Sequence, residues 1–258
     1  MTKNNLDTEL SNTILAFHQK NYRTLEPHQP ISDPKASYFQ YTRYYGVLEE
    51  IKKLNFKNFL DVGCAEGMFL LGVKKIQPTA EVYGVDFSTV GLCKASVYSG
   101  TVGSLACADA THLPFGDNSF DLVLCSETLE HIVNDISAFG ELQRVCKKTC
   151  IITVPSFNNK WAQAHFRPDV DCTFDSHLRK YAQGDLYEIL HPHFKEISIY
   201  PMSLWYPSTF DIIIRFFFKK TFSSKIAHFL SNFASIDYRL SKAGAHGHSF
   251  ICICKKEL

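Results

Sequence analysis

Short apolar runs alternate with helical periodicity through the middle of this chain. Phe59, Leu60 and Val62, with Phe56 just ahead, form the first run. Such a nearly unbroken apolar stretch suits a strand buried on both faces of a parallel sheet. The runs 82–85, 104–108, 122–125 and 151–154 repeat it, and Pro155 ends the fifth. Residues 68–76 and 183–190 read as helices, and 197–200 and 249–254 as two further strands. Strand, helix, strand repeated in this way predicts an α/β, doubly wound fold that holds ligands outside the carboxyl ends of its strands.

Both flanks of this core carry a different pattern. Leu6, Leu10, Ile14 and Phe17, then Tyr38, Tyr41, Tyr45 and Leu48, fall at helical spacing, with Pro27, Pro30 and Pro34 between them. Two helices joined by a rigid loop follow from that. Near the other end, the stretch 205–245 carries Arg215, Lys219, Lys220, Lys225, Arg239 and Lys242 against only Asp211 and Asp237, interleaved with phenylalanines. A basic, aromatic, helical insertion can touch a membrane surface or cover an apolar substrate; packing on the sheet or a dimer contact is the plainer account. The expected division is therefore a helical cover over 1–56, a nucleotide-binding core over 57–204, the insertion over 205–245 and the last strand within 246–258.

The candidate chemistry starts in the turn after the first strand. Gly63 and Gly67 allow a tight turn whose backbone N–H groups approach a ligand at a helix N-terminus. Asp86 ends the second strand a little under twenty residues later, the place where such folds hydrogen-bond a ribose diol. Phe87 beside it can lie against an adenine face, and Asp109, after the third strand, can accept from an adenine amino group. Directly after the fourth strand stands Glu127-Thr-Leu-Glu130-His131. On a helical turn these positions share one face, so both carboxylates and the imidazole are expected to converge.

Composition narrows the setting. The 258 residues are 45% hydrophobic and 21% charged, which describes a packed domain with a covering element. A net charge of +1 argues against a nucleic-acid footprint. The opening residues lack the apolar core of a signal peptide and no run reaches a membrane span's length, so a cytoplasmic protein is expected. Nine cysteines are many, yet Cys107, Cys125, Cys252 and Cys254 fall in apolar strand runs where a thiol packs as a small hydrophobe. Neither Cys146 with Cys150 nor Cys252 with Cys254 has the spacing of a structural zinc site.

The ordered series L-D-V-G-C-A-E-G, Y-G-V-D-F-S, A-D-A-T-H-L-P-F and N-S-F-D-L-V-L-C-S-E-T-L-E-H-I resembles the class I S-adenosylmethionine-dependent methyltransferases. More narrowly it is similar to the small-molecule branch that includes the ubiquinone-biosynthesis enzymes. One departure is Ala65, where that family usually has its middle glycine. The resemblance implies a Rossmann-like, seven-stranded, mostly parallel sheet, with S-adenosylmethionine held by Asp61, Gly63, Cys64, Gly67, Asp86, Phe87, Asp109, Ala110 and Ser126. A dinucleotide site fits less well, because G-C-A-E-G-M-F-L has no glycine where the third should fall and leaves Asp109 without a duty.

The resemblance also implies methyl transfer to a small, aromatic or apolar acceptor, with oxygen the expected atom. Glu127, Glu130, His131 and His177 are the candidate catalytic groups. E-x-x-E-H resembles the magnesium motif of some ubiquinone-pathway O-methyltransferases and small-RNA 2′-O-methyltransferases, and His177 matches a further histidine of the RNA enzymes. Magnesium is compatible with this, but a metal-free pocket in which His131 or His177 acts as base is preferred. The alternatives are an S-adenosylmethionine-binding module without turnover and an RNA 2′-O-methyltransferase. Peripheral membrane contact stays open through the insertion, and oligomeric state is not legible.

Overall fold

The computed structural model describes residues 12–16, 19, 38–99, 103–156, 177–204, 234–243 and 247–257. The basic aromatic stretch 205–233 and the loop 157–176 that precedes His177 lie outside the described residues. So does most of the first expected helix, of which 12–16 and 19 are helical.

Seven strands form one sheet in the order β3-β2-β1-β4-β5-β7-β6. They are β1 (Asn58–Val62), β2 (Glu81–Asp86), β3 (Ser104–Cys107), β4 (Phe120–Ser126), β5 (Cys146–Pro155), β6 (Glu196–Leu204) and β7 (Gly247–Lys255). Strands β1 to β5 pair in parallel, whereas β7 runs antiparallel to both β5 and β6. The chain leaves β1 toward β2 on one side and β4 toward β5 on the other. The carboxyl ends of β1 and β4 are thus the switch point at which ligands bind in open α/β sheets.

Side chains alternate across the pleat and feed two cores. Leu60, Val62, Val123, Cys125, Cys150, Ile152, Phe250, Cys252 and Cys254 join Phe139, Leu142, Leu186 and Leu190 on one side. There they meet α4 (Asp135–Val145) and α5 (Gln183–Leu190). Phe59, Leu122, Leu124, Ile151 and Ile251 join the other side with Tyr44, Val47, Ile51, Phe69, Leu70 and Val73, from α1 (Tyr38–Ile51) and α2 (Met68–Ile76). Helix α3 (Thr89–Ser99) packs beside α2, and α6 (Ala234–Lys242) against β6 and α1. Each fully buried Phe or Leu contributes roughly 1.5–3 kcal/mol, so α1 is held chiefly by Val47 and Ile51, both with no exposure.

Two details differ from the pattern-based expectation. The core-facing row of α1 is Tyr44, Val47 and Ile51; Tyr41 and Tyr45 are half-buried beside it, where a phenol keeps its hydroxyl near water. Cys107 ends the short β3 in an exposed position, whereas Cys125, Cys252 and Cys254 are buried as expected. The described cysteines are free thiols. Among the described residues no helix is long and apolar enough to cross a membrane.

Candidate active site

The loop after β1 is organised by its backbone. Gly63 N–H and Cys64 N–H both donate to the Val85 carbonyl (2.8 and 3.0 Å), which pins the turn to the end of β2. Gly63, Ala65 and Gly67 take left-handed φ values of 78°, 46° and 76°. At Gly63 any Cβ would also overlap the Thr128 side chain, so glycine is needed there twice over. The loop therefore sits directly against the segment that follows β4.

Asp86 scaffolds this loop. Its two carboxylate oxygens accept from Ala65 N–H (2.8 Å) and Ser88 N–H (2.7 Å), and each keeps capacity for a further donor. Burial pushes its carboxyl up, against the pull of those two bonds. Asp61 is buried on β1 with Oδ2 lacking a hydrogen-bond partner, and burial together with the nearby Asp86 charge lifts it to about 8. Phe87 is 44% exposed, Asp109 is exposed, and Asp109 turns its own loop by accepting from Thr111 N–H at 2.8 Å. Ala110 is half-buried beside it. Cys64 is buried, which pushes its thiol up, and the Ser126 hydroxyl pairs with that of Thr153 at 2.8 Å. A buried carboxylate atom without a donor and a left-handed loop too tight for a Cβ fit an amine-bearing nucleoside ligand such as S-adenosylmethionine.

The corner after β4 is built from side chains. The expected helical face is not what forms: residues 129–131 make a single 3-10 turn (Leu129–His131), and α4 begins only at Asp135, capped by the Asn134 side chain. Glu127 lies before that turn with φ 49°, a strained conformation for a residue with a side chain. Its carboxylate pairs with Arg43 of α1 at 3.2 Å. Glu130 has no exposure, and neither of its oxygens has a hydrogen-bond partner. His131 Nε2 and His177 Nε2 each stand 3.9 Å from Glu130 Oε1, and the two rings lie 4.8 Å apart.

What brings His177 there is the segment that follows it. Leu178 N–H donates to the Glu130 carbonyl (2.8 Å), and Arg179 donates to the carbonyls of Ile132 and Val133 while pairing with Asp135. Tyr181 donates to Asp135 and its backbone bridges Ser156 at the end of β5. The ligand atoms of Glu130, His131 and His177 lie within 4.8 Å of one another, close enough for one ion; Glu127 is outside that set. Burial, then the Glu127 charge, pushes the Glu130 carboxyl well up, with Arg43 opposing.

Arg43, Arg179 and Tyr181 were not singled out from sequence. Arg43 stands on the helix face opposite Tyr41 and Tyr45, and Glu127, the partner that brings it to this corner, is distant in sequence.

Residues 60–154 match the family described as a methyltransferase domain. The demethylmenaquinone methyltransferase of Staphylococcus aureus (strain JH9) is 34% identical over 114 residues, covering 40% of this chain and 47% of the relative. The chain thus spans about half the length of the curated relatives it matches. An S-adenosylmethionine-dependent methyltransferase from Thermotoga maritima shares the fold with a TM-score of 0.57 at 17% identity, over 85% of this chain and 93% of that one. The [4+2]-cyclase SpnF does so at 0.56 and 19%, over 84% and 81%. Residues 60–154 thus match a methyltransferase domain, and the described sheet has the fold of solved S-adenosylmethionine-dependent methyltransferases.

Proposed function

We propose that this chain, on the premise of that domain, transfers a methyl group from S-adenosylmethionine to a small, aromatic or apolar acceptor at oxygen. The observation that carries the reading is Glu130, a buried carboxylate with no hydrogen-bond donor that faces two imidazoles beside the Gly63 loop. Leaving such a group unpaired costs several kcal/mol, which is expected where a ligand completes the site.

S-adenosylmethionine, when bound, supplies an electrophilic methyl on a positively charged sulfur. Gly63, Cys64 and Gly67 shape the loop that would receive it, Asp61 offers its free oxygen to the amino-acid end, and Asp86 its remaining capacity to the ribose. Phe87, Asp109 and Ala110 line the adenine side, and Ser126 borders the site from β4. His131 or His177 takes the proton of an acceptor hydroxyl, and the Glu130 carboxyl, 3.9 Å from each Nε2, favours the resulting imidazolium. Glu127, paired with Arg43, borders this corner.

A second reading is favoured by the three converging ligand atoms: a resident divalent ion on Glu130, His131 and His177 that lowers the acceptor's pKa. Two imidazoles and one carboxylate suit manganese or zinc better than magnesium, which prefers oxygen. Activity abolished by chelator and restored by manganese or zinc would select this reading, and full activity in chelator the metal-free one.

The deciding experiment is untargeted metabolite profiling with isotope-labelled methyl donor, in the presence and absence of the protein. A labelled O-methyl product is the expected result. Cofactor binding by calorimetry without any labelled product would leave a binding module instead, and label in small RNA would indicate the nucleic-acid alternative.

A further inference from the structure

Helix α1 joins the corner after β4 to a second polar cluster at its other end. There Glu50 is buried at 7% exposure and collects donors from three elements. Its Oε1 accepts from Tyr238 of α6 at 2.6 Å and from Tyr200 of β6, and pairs with Lys242 of α6 at 3.1 Å; its Oε2 pairs with Lys53 at 2.9 Å. Lys242 also lies over the Tyr200 ring at 5.0 Å, and Lys53 over the Tyr238 ring at 5.0 Å. Between the two ends, Gly46 lets Met202 of β6 and Tyr238 approach the helix so closely that a Cβ there would overlap the methionine.

Arg43 and Glu50 are seven positions apart, two turns of helix, and so project from the same side of α1 about 10 Å apart along its axis. A helix this short, with Val47 and Ile51 buried between sheet and neighbours, moves as one rigid rod. Whatever fixes Glu50 fixes where Arg43 points.

We propose that Glu50 is a positioning residue: with Tyr200, Tyr238 and Lys242 it anchors α1 to β6 and α6, and through α1 it holds Arg43 on Glu127. The Arg43 pair keeps the Glu127 carboxylate on the α1 side of the site, leaving Glu130 to the two imidazoles. The inference rests on the methyl-transfer reading only for its consequence, since the linkage itself is a property of the cofactor-free chain. It makes α6, the end of the basic insertion, mechanically continuous with the candidate catalytic corner. Burial alone would raise the Glu50 carboxyl, but hydrogen bonds from Tyr200, Tyr238, Lys53 and Lys242 outweigh it and hold the group at about 2. The anchor is therefore set while Glu50 is ionised.

The Arg43 guanidinium reports on this directly. In proton–nitrogen spectra of the cofactor-free 258-residue chain, its buried Nε–H, in the same guanidinium as the Nη1 that pairs with Glu127 at 3.2 Å, should give a slowly exchanging signal, identified by its loss in Arg43→Lys. Glu127→Gln should speed that exchange by about tenfold or more, and Glu50→Gln and Tyr238→Phe, far from Glu127, by about threefold or more each. Combining Glu50→Gln with Glu127→Gln should add nothing beyond Glu127→Gln, because both act on one pairing. Thermal melts of the same samples separate this from general loosening. A lower Tm in Glu50→Gln and Tyr238→Phe with unchanged Arg43 exchange would overturn the proposal; Tyr238→Phe, which removes one hydroxyl, keeps the test alive should Glu50→Gln not fold. Because no methyl is transferred in the measurement, its failure leaves the proposed activity standing, and an inactive chain could still show the coupling.

Discussion

The loop after β1 and the corner after β4 touch at Gly63 and Thr128, yet they are built by opposite means. In the loop, contiguous backbone does the work: Val85 carbonyl and Asp86 carboxylate take up four N–H groups, and the one buried atom left over is Asp61 Oδ2. In the corner, side chains from α1, β4, the 3-10 turn and the segment after β5 meet, and three carboxylate oxygens of Glu127 and Glu130 are left without hydrogen bonds. A backbone site tolerates change in its side chains. A site made of converging carboxylates and imidazoles stores unfavourable energy that a ligand can release.

The sharpest break in that comparison is Glu130→Gln. Loss of the carboxyl that faces both imidazoles should lower methyl transfer by about 10²–10⁴-fold, the usual scale for acid–base machinery. The same variant should make the protein more stable at neutral pH. Glu130 is held well above its ordinary 4.5 by burial first and by Glu127 second. A folded-state pKa above the unfolded value means that the folded chain binds the extra proton, so stability falls as pH rises from about 4.5 toward the folded value. The neutral amide does not pay that penalty, and Tm should rise relative to wild type at pH 8 but not at pH 4. A Tm that falls equally at both would mean that the carboxylate is satisfied after all.

In the loop the matching variant is Asp86→Ala. S-adenosylmethionine affinity measured by calorimetry should drop by about 1.5–3 kcal/mol, the worth of hydrogen bonds to a charged group. Asp86→Asn, which retains one acceptor oxygen for Ala65 or Ser88, should lose less. Equal affinity in wild type and Asp86→Ala would remove Asp86 from the cofactor site and leave it as scaffold.

The two regions also differed in how far they could be read in advance. The loop's parts lie within one strand-turn-helix unit plus Asp86, so apolar runs and glycine spacing pointed to the strand, the turn and Asp86, and to a mostly parallel sheet without its strand order. The corner was read as an α-helical face, but Glu127 takes a left-handed φ and only Leu129–His131 close into a turn. Glu130 and His131 still meet His177, by a different route: the Leu178 and Arg179 bonds that carry the segment back onto the turn. Arg43 and Glu50 escaped notice because their partners, Glu127, Tyr200 and Tyr238, are distant in sequence and leave no periodic trace. The degree to which Glu130 is buried is likewise a product of packing on all sides.

At the far end of α1, pH provides a milder test. Glu50 drops from 4.5 to about 2, its tyrosine and lysine partners outweighing burial. A depressed folded pKa gives stability that is complete above about 4.5 and is lost as pH falls through about 2. Lys53 and Lys242 are nearly half exposed, so screening trims the effect to about 2 kcal/mol. Glu50→Gln should therefore lower the unfolding free energy by about that amount at pH 7, measured in urea, and the gap to wild type should narrow steadily below pH 4.5. A constant gap would assign the loss to packing.

The smallest expected effect compares the two regions residue for residue. Ala65 in the loop and Glu127 in the corner both hold left-handed φ values, 46° and 49°, without being glycine. That conformation costs an L-residue about 1–2 kcal/mol relative to glycine, while glycine gives back about 0.4–1 kcal/mol through the freedom of the unfolded chain. Ala65→Gly should therefore stabilise by about 0.5 kcal/mol and leave S-adenosylmethionine affinity within about twofold, because the Ala65 methyl has no part in the loop's N–H to Asp86 bond. Glu127→Gly gains the same relief but removes the carboxylate that pairs with Arg43 Nη1. If strain were only a local cost, the two variants would behave alike. The expectation is that Glu127→Gly loses methyl transfer while Ala65→Gly keeps it, since the corner's strain holds a side chain in place and the loop's holds only backbone.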